Sequence, residues 1–167
     1  SREVGVGDLL ADLTRDRLGL SEPDYRQLAE RIDVIVNSAA AVTFDERLDI
    51  ALELNTRGPS RLSALSREGG GIPFMQVSTC YVCGRRSGDI PETLAVPDEA
   101  RSLDIDGVIA EMRAASDRIL AETKPDGEET RTRLIQAGME LAQRHGCNDT
   151  YTFTKWIGAR LIDRLRG

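Results

Sequence analysis

The chain has 167 residues, a net charge of −6, and 40% hydrophobic against 30% charged residues, the composition of a folded globular domain rather than of a disordered, collagen-like or disulfide-framework chain. No stretch approaches the roughly 18 apolar residues that a membrane span needs, and Ser1 to Asp8 lacks a charged-then-apolar signal pattern. The basic residues are scattered, which leaves no electrostatic footprint for a nucleic-acid backbone.

The length reads as one ordinary domain with room for a single core. Three cysteines, Cys80, Cys83 and Cys147, are too few and oddly numbered for a structural disulfide set. With no targeting signal, a cytoplasmic protein is the default expectation.

Val4 to Leu10 alternates weakly and predicts a strand that begins almost at the first residue, with nothing before it to pair against. From Ser21, with Pro23 in the first turn, Tyr25, Leu28, Ala29 and Ile32 recur at helical spacing and predict a short amphipathic helix. Asp33 to Asn37 is a β-branched run expected of a strand buried on both faces in a parallel sheet. Leu48, Leu52, Leu54, Leu62 and Leu65 predict a long helix that stops at Gly69-Gly70-Gly71, followed by a strand from Ile72 to Val77. Beyond Gly84 the chain reads as loop through Asp89 and Val96. A charged helical region follows from about Asp98 to Arg144, with Val108, Met112, Ile119, Leu134 and Leu141 as its packed face. A final helix runs from about Asp149 to the end. Strand and helix alternate with short connections, which predicts a doubly wound α/β sheet whose sites lie at the carboxyl ends of the strands.

Tyr151 and Lys155 are four residues apart, hence on one face of a helix and within one turn. A nearby ammonium stabilises a phenolate and eases proton exchange with a substrate oxygen. Only Lys124 and Lys155 among the 22 basic residues are lysines, so about 0.04 such pairs are expected by chance. An exposed lysine beside a half-buried tyrosine on a surface helix is the plainer alternative. Ser78 and Thr79 end a predicted buried strand, where a further hydroxyl could donate to a carbonyl oxygen and complete an oxyanion cradle. Asn37-Ser38-Ala39-Ala40 offers small side chains after another strand, letting backbone approach a flat ligand. Taken singly, these two stretches are strand termination and a turn.

Together these residues resemble extended short-chain dehydrogenase/reductases, and within them bacterial fatty acyl-CoA reductases with a male-sterility-type NAD-binding domain. The resemblance covers nearly the whole chain. It runs through Asp12-Leu-Thr-Arg-Asp-Arg-Leu-Gly-Leu20, Asp33 to Ala40, Leu54-Asn55-Thr-Arg-Gly58, Gln76 to Val82 and Asp149 to Trp156. It implies a partial Rossmann-like doubly wound parallel sheet, with residues 84–148 forming a loop and helical insertion. It implies Thr79, Tyr151 and Lys155 as the catalytic set. It also implies cofactor contacts at Asp12, Leu13, Ser38, Ala39, Ala40, Asn55, Val77, Ser78, Tyr151 and Lys155. The implied chemistry is NADPH-dependent reduction of a long-chain fatty acyl-CoA to an aldehyde, with onward reduction to a fatty alcohol left open. Lys155 would hold the nicotinamide ribose hydroxyls. Lipid metabolism is the implied setting, and peripheral membrane association and oligomeric state are left open.

The family's Gly-x-x-Gly-x-x-Gly turn is not among these 167 residues, since Gly5 and Gly7 lack its spacing. The chain therefore reads as an internal, incomplete reductase domain, with little turnover or cofactor binding expected of it alone. An extended reductase or epimerase acting on a nucleotide sugar is an alternative, opposed by the long Thr79 to Tyr151 separation. A non-catalytic interaction module docking through Asp98 to Arg144 is another. Cys80-x-x-Cys83 can be a redox pair or half a zinc site, zinc being disfavoured because the other soft ligands, His145 and Cys147, lie far along the chain. The resemblance makes Cys80 a small residue of the strand-end motif, and an acyl-enzyme nucleophile there ranks below direct hydride transfer because no base lies near it. No metal site is expected, and His145 is expected to face solvent near a helix end.

Overall fold

A computed structural model of the chain describes residues 9–85, 87–90 and 103–166. Ser21 caps helix α1 (Glu22–Arg31): its hydroxyl oxygen accepts the Asp24 N–H and its hydroxyl donates to the Asp24 carboxylate. The predicted apolar stripe is the buried one, with Tyr25 and Ala29 inside and Leu28 and Ile32 packed at the edge.

Strands β1 (Ile35–Asn37) and β2 (Phe74–Gln76) pair in parallel, Ile35 opposite Phe74 and Asn37 opposite Gln76. Both are shorter than the predicted runs. The Asn37 side-chain oxygen accepts the Ala39 N–H, an Asx turn that bends the backbone out of the ladder. Before β2, Gly70 and Gly71 adopt φ of 78° and 93°, and Pro73 has no N–H to donate.

Between the strands, α2 (Leu48–Ala51), a π-helical segment over Leu52–Arg57 and α3 (Gly58–Glu68) follow one another without a break. The charged region divides into two helices, α4 (Ile105–Glu122) and α5 (Glu128–Arg144). Its predicted start at Asp98 and the loop positions 91–102 lie outside the described residues. The Asp104 carboxylate accepts the Gly107 N–H at 2.9 Å and caps α4. Val108, Met112, Ile119, Leu134 and Leu141 are all buried, as their spacing predicts. The last helix, α6 (Thr150–Arg166), starts where the Asp149 carboxylate accepts the Thr152 N–H at 2.7 Å.

The described residues form an α/β arrangement with one parallel pair of strands, consistent with part of a dinucleotide-binding domain; of the expected doubly wound sheet, these residues show that pair. The strand predicted over Val4 to Leu10 lies outside the described residues except for Leu9 and Leu10, which are not in a strand. With so few strands one sheet face stays open, leaving Val36 58% and Met75 61% exposed. One expectation is corrected: the core is double. One cluster gathers Leu48, Leu52, Met112, Leu141, Phe153 and Ile157 between α2, α4, α5 and α6. The other gathers Leu18, Tyr25, Ile35, Leu62, Leu65 and Ile72 between α1, the sheet and α3. The helix pair after Leu103 adds enough apolar surface to build a second core together with α2 and α6, which chain length does not reveal. Among the described residues, no helix is long and apolar enough to cross a membrane.

Candidate active site

Helix α6 is buried on most of its circumference. Phe153 and Ile157 enter the first cluster, while Thr150, Thr152 and Thr154 are also buried. That burial reaches Lys155, which is only 5% exposed. Its ammonium donates to the Val77 carbonyl oxygen at 2.7 Å, just past the end of β2. No carboxylate pairs with it among the described residues, and burial pushes its pKa below the ordinary lysine value.

A polar relay converges on the same carbonyl. Buried Asn37 donates to the Gln76 side-chain oxygen at 2.8 Å, and the Gln76 amide donates to the Val77 carbonyl at 2.8 Å. The ends of both strands are thereby tied to the helix that carries Tyr151 and Lys155.

Tyr151 lies one helical turn before Lys155 and is half-buried. Its ring meets Phe44 edge to face, with centroids 5.7 Å apart. Phe44 meets Tyr81 in the same manner at 6.2 Å, a geometry that favours aromatic pairs. Phe44 and Tyr81 are 54% and 52% exposed, so Tyr151 forms the inner member of an aromatic lip. Thr79 caps the 3-10 turn Cys80–Cys83, its side-chain oxygen accepting the Tyr81 N–H at 3.3 Å. Its own hydroxyl proton stays available for donation. This turn packs against α6.

Asn55 holds the loop after β1. Its side-chain oxygen accepts the Ala41 N–H at 2.9 Å, and its amide donates to the Ala41 carbonyl at 2.9 Å and to Thr154 Oγ1 at 3.0 Å. The Thr56 hydroxyl adds a bond to the Thr154 carbonyl at 2.9 Å. Backbones come this close because position 158 is glycine: a Cβ there would overlap the Asn55 carbonyl oxygen. The loop so anchored presents Ser38 and Ala39 to solvent with Ala40 half-buried, and Ser78 is exposed beyond β2.

The structure therefore gathers Val77, Thr79, Tyr151 and Lys155 around one strand end, with Asn55 bracing the 38–41 loop. Asp12 and Leu13 are held elsewhere, against the start of α3, where the Leu13 carbonyl accepts from the Arg61 guanidinium at 2.9 Å. The Asp12 carboxylate accepts from the Thr14 hydroxyl and N–H, which pulls its pKa below the ordinary value. Sequence reasoning missed Phe44 as the neighbour of Tyr151 and Tyr81 as the ring beyond it, and it missed the Val77 carbonyl as the acceptor for Lys155. A backbone acceptor leaves no residue-type signal, and Phe44 stands in a turn without periodicity.

Cys80 is exposed, Cys83 half-buried and Cys147 buried, and all three thiols are free. Burial pushes the Cys147 thiol up to about 11. Among the described residues, no group of three His, Cys, Asp or Glu side chains could hold a metal ion. His145 departs from expectation: it is half-buried and stacks on Phe153 with ring centroids 5.1 Å apart, since the end of α5 folds back onto the start of α6.

A family model described as Male sterility protein, of the NAD-binding kind, matches residues 8–167. The chain is 36% identical over 162 residues to fatty acyl-CoA reductase 2, chloroplastic, of Arabidopsis thaliana, an alignment covering 90% of this chain and 26% of that protein. It is 33% identical over 160 residues to probable fatty acyl-CoA reductase 5 of the same plant, covering 92% of this chain and 32% of that protein. Against the alcohol-forming fatty acyl-CoA reductase of Simmondsia chinensis it is 29% identical over 162 residues, covering 93% of this chain and 33% of that protein. The chain spans about a quarter to a third of the length of these relatives.

Proposed function

The chain belongs to the male sterility protein family of NAD-binding domains, and from that premise we propose that it supplies the central part of a reductase acting on long-chain fatty acyl-CoA thioesters. The product is an aldehyde, reduced onward to a fatty alcohol. The observation that carries this reading is the bond from Lys155 to the Val77 carbonyl, which joins the helix bearing Tyr151 to the strand end bearing Thr79.

The nicotinamide cofactor, which we take to be NADPH, supplies a hydride when bound. The residues fit such a group. The Lys155 ammonium has three donors and spends one on Val77, so two remain for ribose hydroxyls. Ser38, Ala39 and Ser78 are small and exposed at the strand ends, where backbone can approach a flat ring. Asp12 and Leu13 are assigned to the adenine end, and Asn55 acts by holding the 38–41 loop in shape.

Negative charge that develops on the substrate carbonyl oxygen is met by donation from the Tyr151 phenol and the Thr79 hydroxyl. The CoA thiolate leaves, and the carbonyl re-forms as the aldehyde. In the second reduction Tyr151 gives its proton to the oxygen, and the buried Lys155 charge one turn away stabilises the resulting phenolate. Phe44 and Tyr81 present apolar surface beside the reacting phenol, which suits an acyl chain better than a sugar nucleotide.

In a full-length reductase carrying this segment, Tyr151→Phe is expected to lower acyl-CoA-dependent NADPH oxidation by roughly 10²- to 10³-fold. Undiminished turnover would overturn the assignment. For the chain alone, calorimetric titration with NADPH is expected to give weak binding or none.

A further inference from the structure

The turn after Thr79 carries chemistry that the hydride-transfer reading does not use. Cys80–Cys83 is a 3-10 turn with cysteine at both ends. Side chains at i and i+3 of a 3-10 helix eclipse, and three rises of about 2.0 Å set their Cα atoms about 6 Å apart. A disulfide spans roughly 4.4–6.8 Å between Cα atoms. Cys80 is exposed and Cys83 half-buried, and neither is already bridged. The Cys83 thiol makes only a long contact, 3.7 Å, to the Gly84 carbonyl. Gly84 follows at φ 69°, and the Arg85 N–H donates to the Gly146 carbonyl at 3.1 Å, so the Cys83 end of the turn is held and the Thr79 end is the one left to move. Cys147 follows Gly146, whose carbonyl accepts the Arg85 N–H beside the turn, but it is buried and its thiol is pushed up to about 11, which disfavours the reactive thiolate.

We propose that Cys80 and Cys83 form a reversible dithiol–disulfide site that sets the aim of the Thr79 hydroxyl. The consequence for turnover, though not the bond itself, rests on the reductase reading above. The oxidant class is a low-molecular-weight disulfide such as oxidised glutathione. The Cys80 thiolate attacks one sulfur of that disulfide, forming a mixed disulfide and releasing one thiol. The Cys83 thiolate then attacks the Cys80 sulfur, forming the Cys80–Cys83 bond and releasing the second thiol. Two protein thiols are oxidised, one external disulfide is reduced to two thiols, and the two protons end on those thiols. Closing the bond draws the two ends of the turn together. Thr79 adjoins Cys80, and Tyr81 lies between the cysteines against Phe44, so both move with it.

The test equilibrates the chain in glutathione buffers of graded ratio, quenches with acid, alkylates, and maps the peptides by mass. In oxidising buffer the peptide holding Cys80 and Cys83 is expected to lose two hydrogens and escape alkylation. Cys147→Ser should behave identically, and Cys83→Ser should instead hold one glutathione on Cys80. A wild-type chain that accumulates glutathione on Cys80, or whose two thiols stay alkylatable, would overturn the proposal. This readout needs no turnover, so its failure is separable from failure of the reductase reading. In a full-length reductase carrying the segment, oxidation is expected to slow NADPH oxidation about tenfold or more, with recovery in dithiothreitol and no response when Cys80→Ser and Cys83→Ser are combined. A disulfide that forms without changing the rate would overturn the link to Thr79.

Discussion

Lys155 donates its ammonium to the Val77 carbonyl at 2.7 Å from a site only 5% exposed to solvent. A buried cation with no carboxylate partner among the described residues is a penalised charge, and burial is what lowers its pKa. The folded form therefore binds its proton less tightly than the unfolded chain does, so this penalty shrinks as pH rises toward the ordinary value of 10.5. Lys155→Met removes the charge, while the Val77 carbonyl keeps its bond from Gln76. Urea unfolding at neutral pH is expected to give stability equal to the parent or up to about 1 kcal/mol higher, and the variant should lack the parent's alkaline gain. A loss above about 2 kcal/mol would show that the bond itself holds the fold.

Asn55 makes three hydrogen bonds in a buried position, two of them to Ala41 backbone. Asn55→Ala strands the Ala41 N–H and carbonyl away from water, at a cost of about 2–4 kcal/mol in urea unfolding. Asn55→Asp keeps the acceptor for the N–H but sets a carboxylate against the Ala41 carbonyl, and is expected to be no better.

Gly158→Ala would ordinarily favour a helix interior by about 1 kcal/mol. Here the added methyl meets the Asn55 carbonyl oxygen and the Thr56 backbone. Overpacking of about 1–3 kcal/mol should win, so the thermal midpoint is expected to fall. A rise would mean that α6 and the π-helical segment can move apart freely.

Burial of His145 against Phe153 lowers its pKa from the ordinary 6.5, with Glu111 opposing in part and Arg144 assisting. Because the folded value is the lower one, this contribution to stability is complete above pH 6.5 and is lost as pH falls through the folded value. His145→Gln removes that component. Comparing denaturant midpoints at neutral pH and near about pH 5, the parent is expected to lose more stability than the variant.

The elements that sequence reasoning located well are those whose information is local. Ser21 and Asp149 announce the helices that they cap, and the spacing of Tyr151 and Lys155 puts both on one turn of α6. The strands were read too long because a hydrophobic run does not mark where pairing begins: β1 starts only at Ile35, whose N–H donates to the Pro73 carbonyl, and β2 starts only after Pro73, which has no N–H to give. The contacts that organise the site were hidden for a different reason. Phe44 reaches Tyr151 across more than a hundred residues of chain, and the acceptor for Lys155 is a main-chain oxygen that any residue would supply. The division into two cores was equally silent, since each leucine of the long central helix looks alike in sequence.

That helix owes its double allegiance to its wide middle. In an unbroken α-helix Leu48 and Leu62 would stand nearly four turns apart and face the same way. The π-helical segment Leu52–Arg57 inserts about one extra residue, which rotates everything after it by roughly 100°. Leu48 and Leu52 thus look toward Met112 and Phe153, whereas Leu62 and Leu65 look toward Ile35 and Ile72. Spacing within this stretch is therefore an inherited constraint distinct from residue identity. Excising a single residue between Leu52 and Arg57 would wind the segment back to ordinary pitch and swing the second pair of leucines off the sheet, whereas many point replacements there would leave that heading intact.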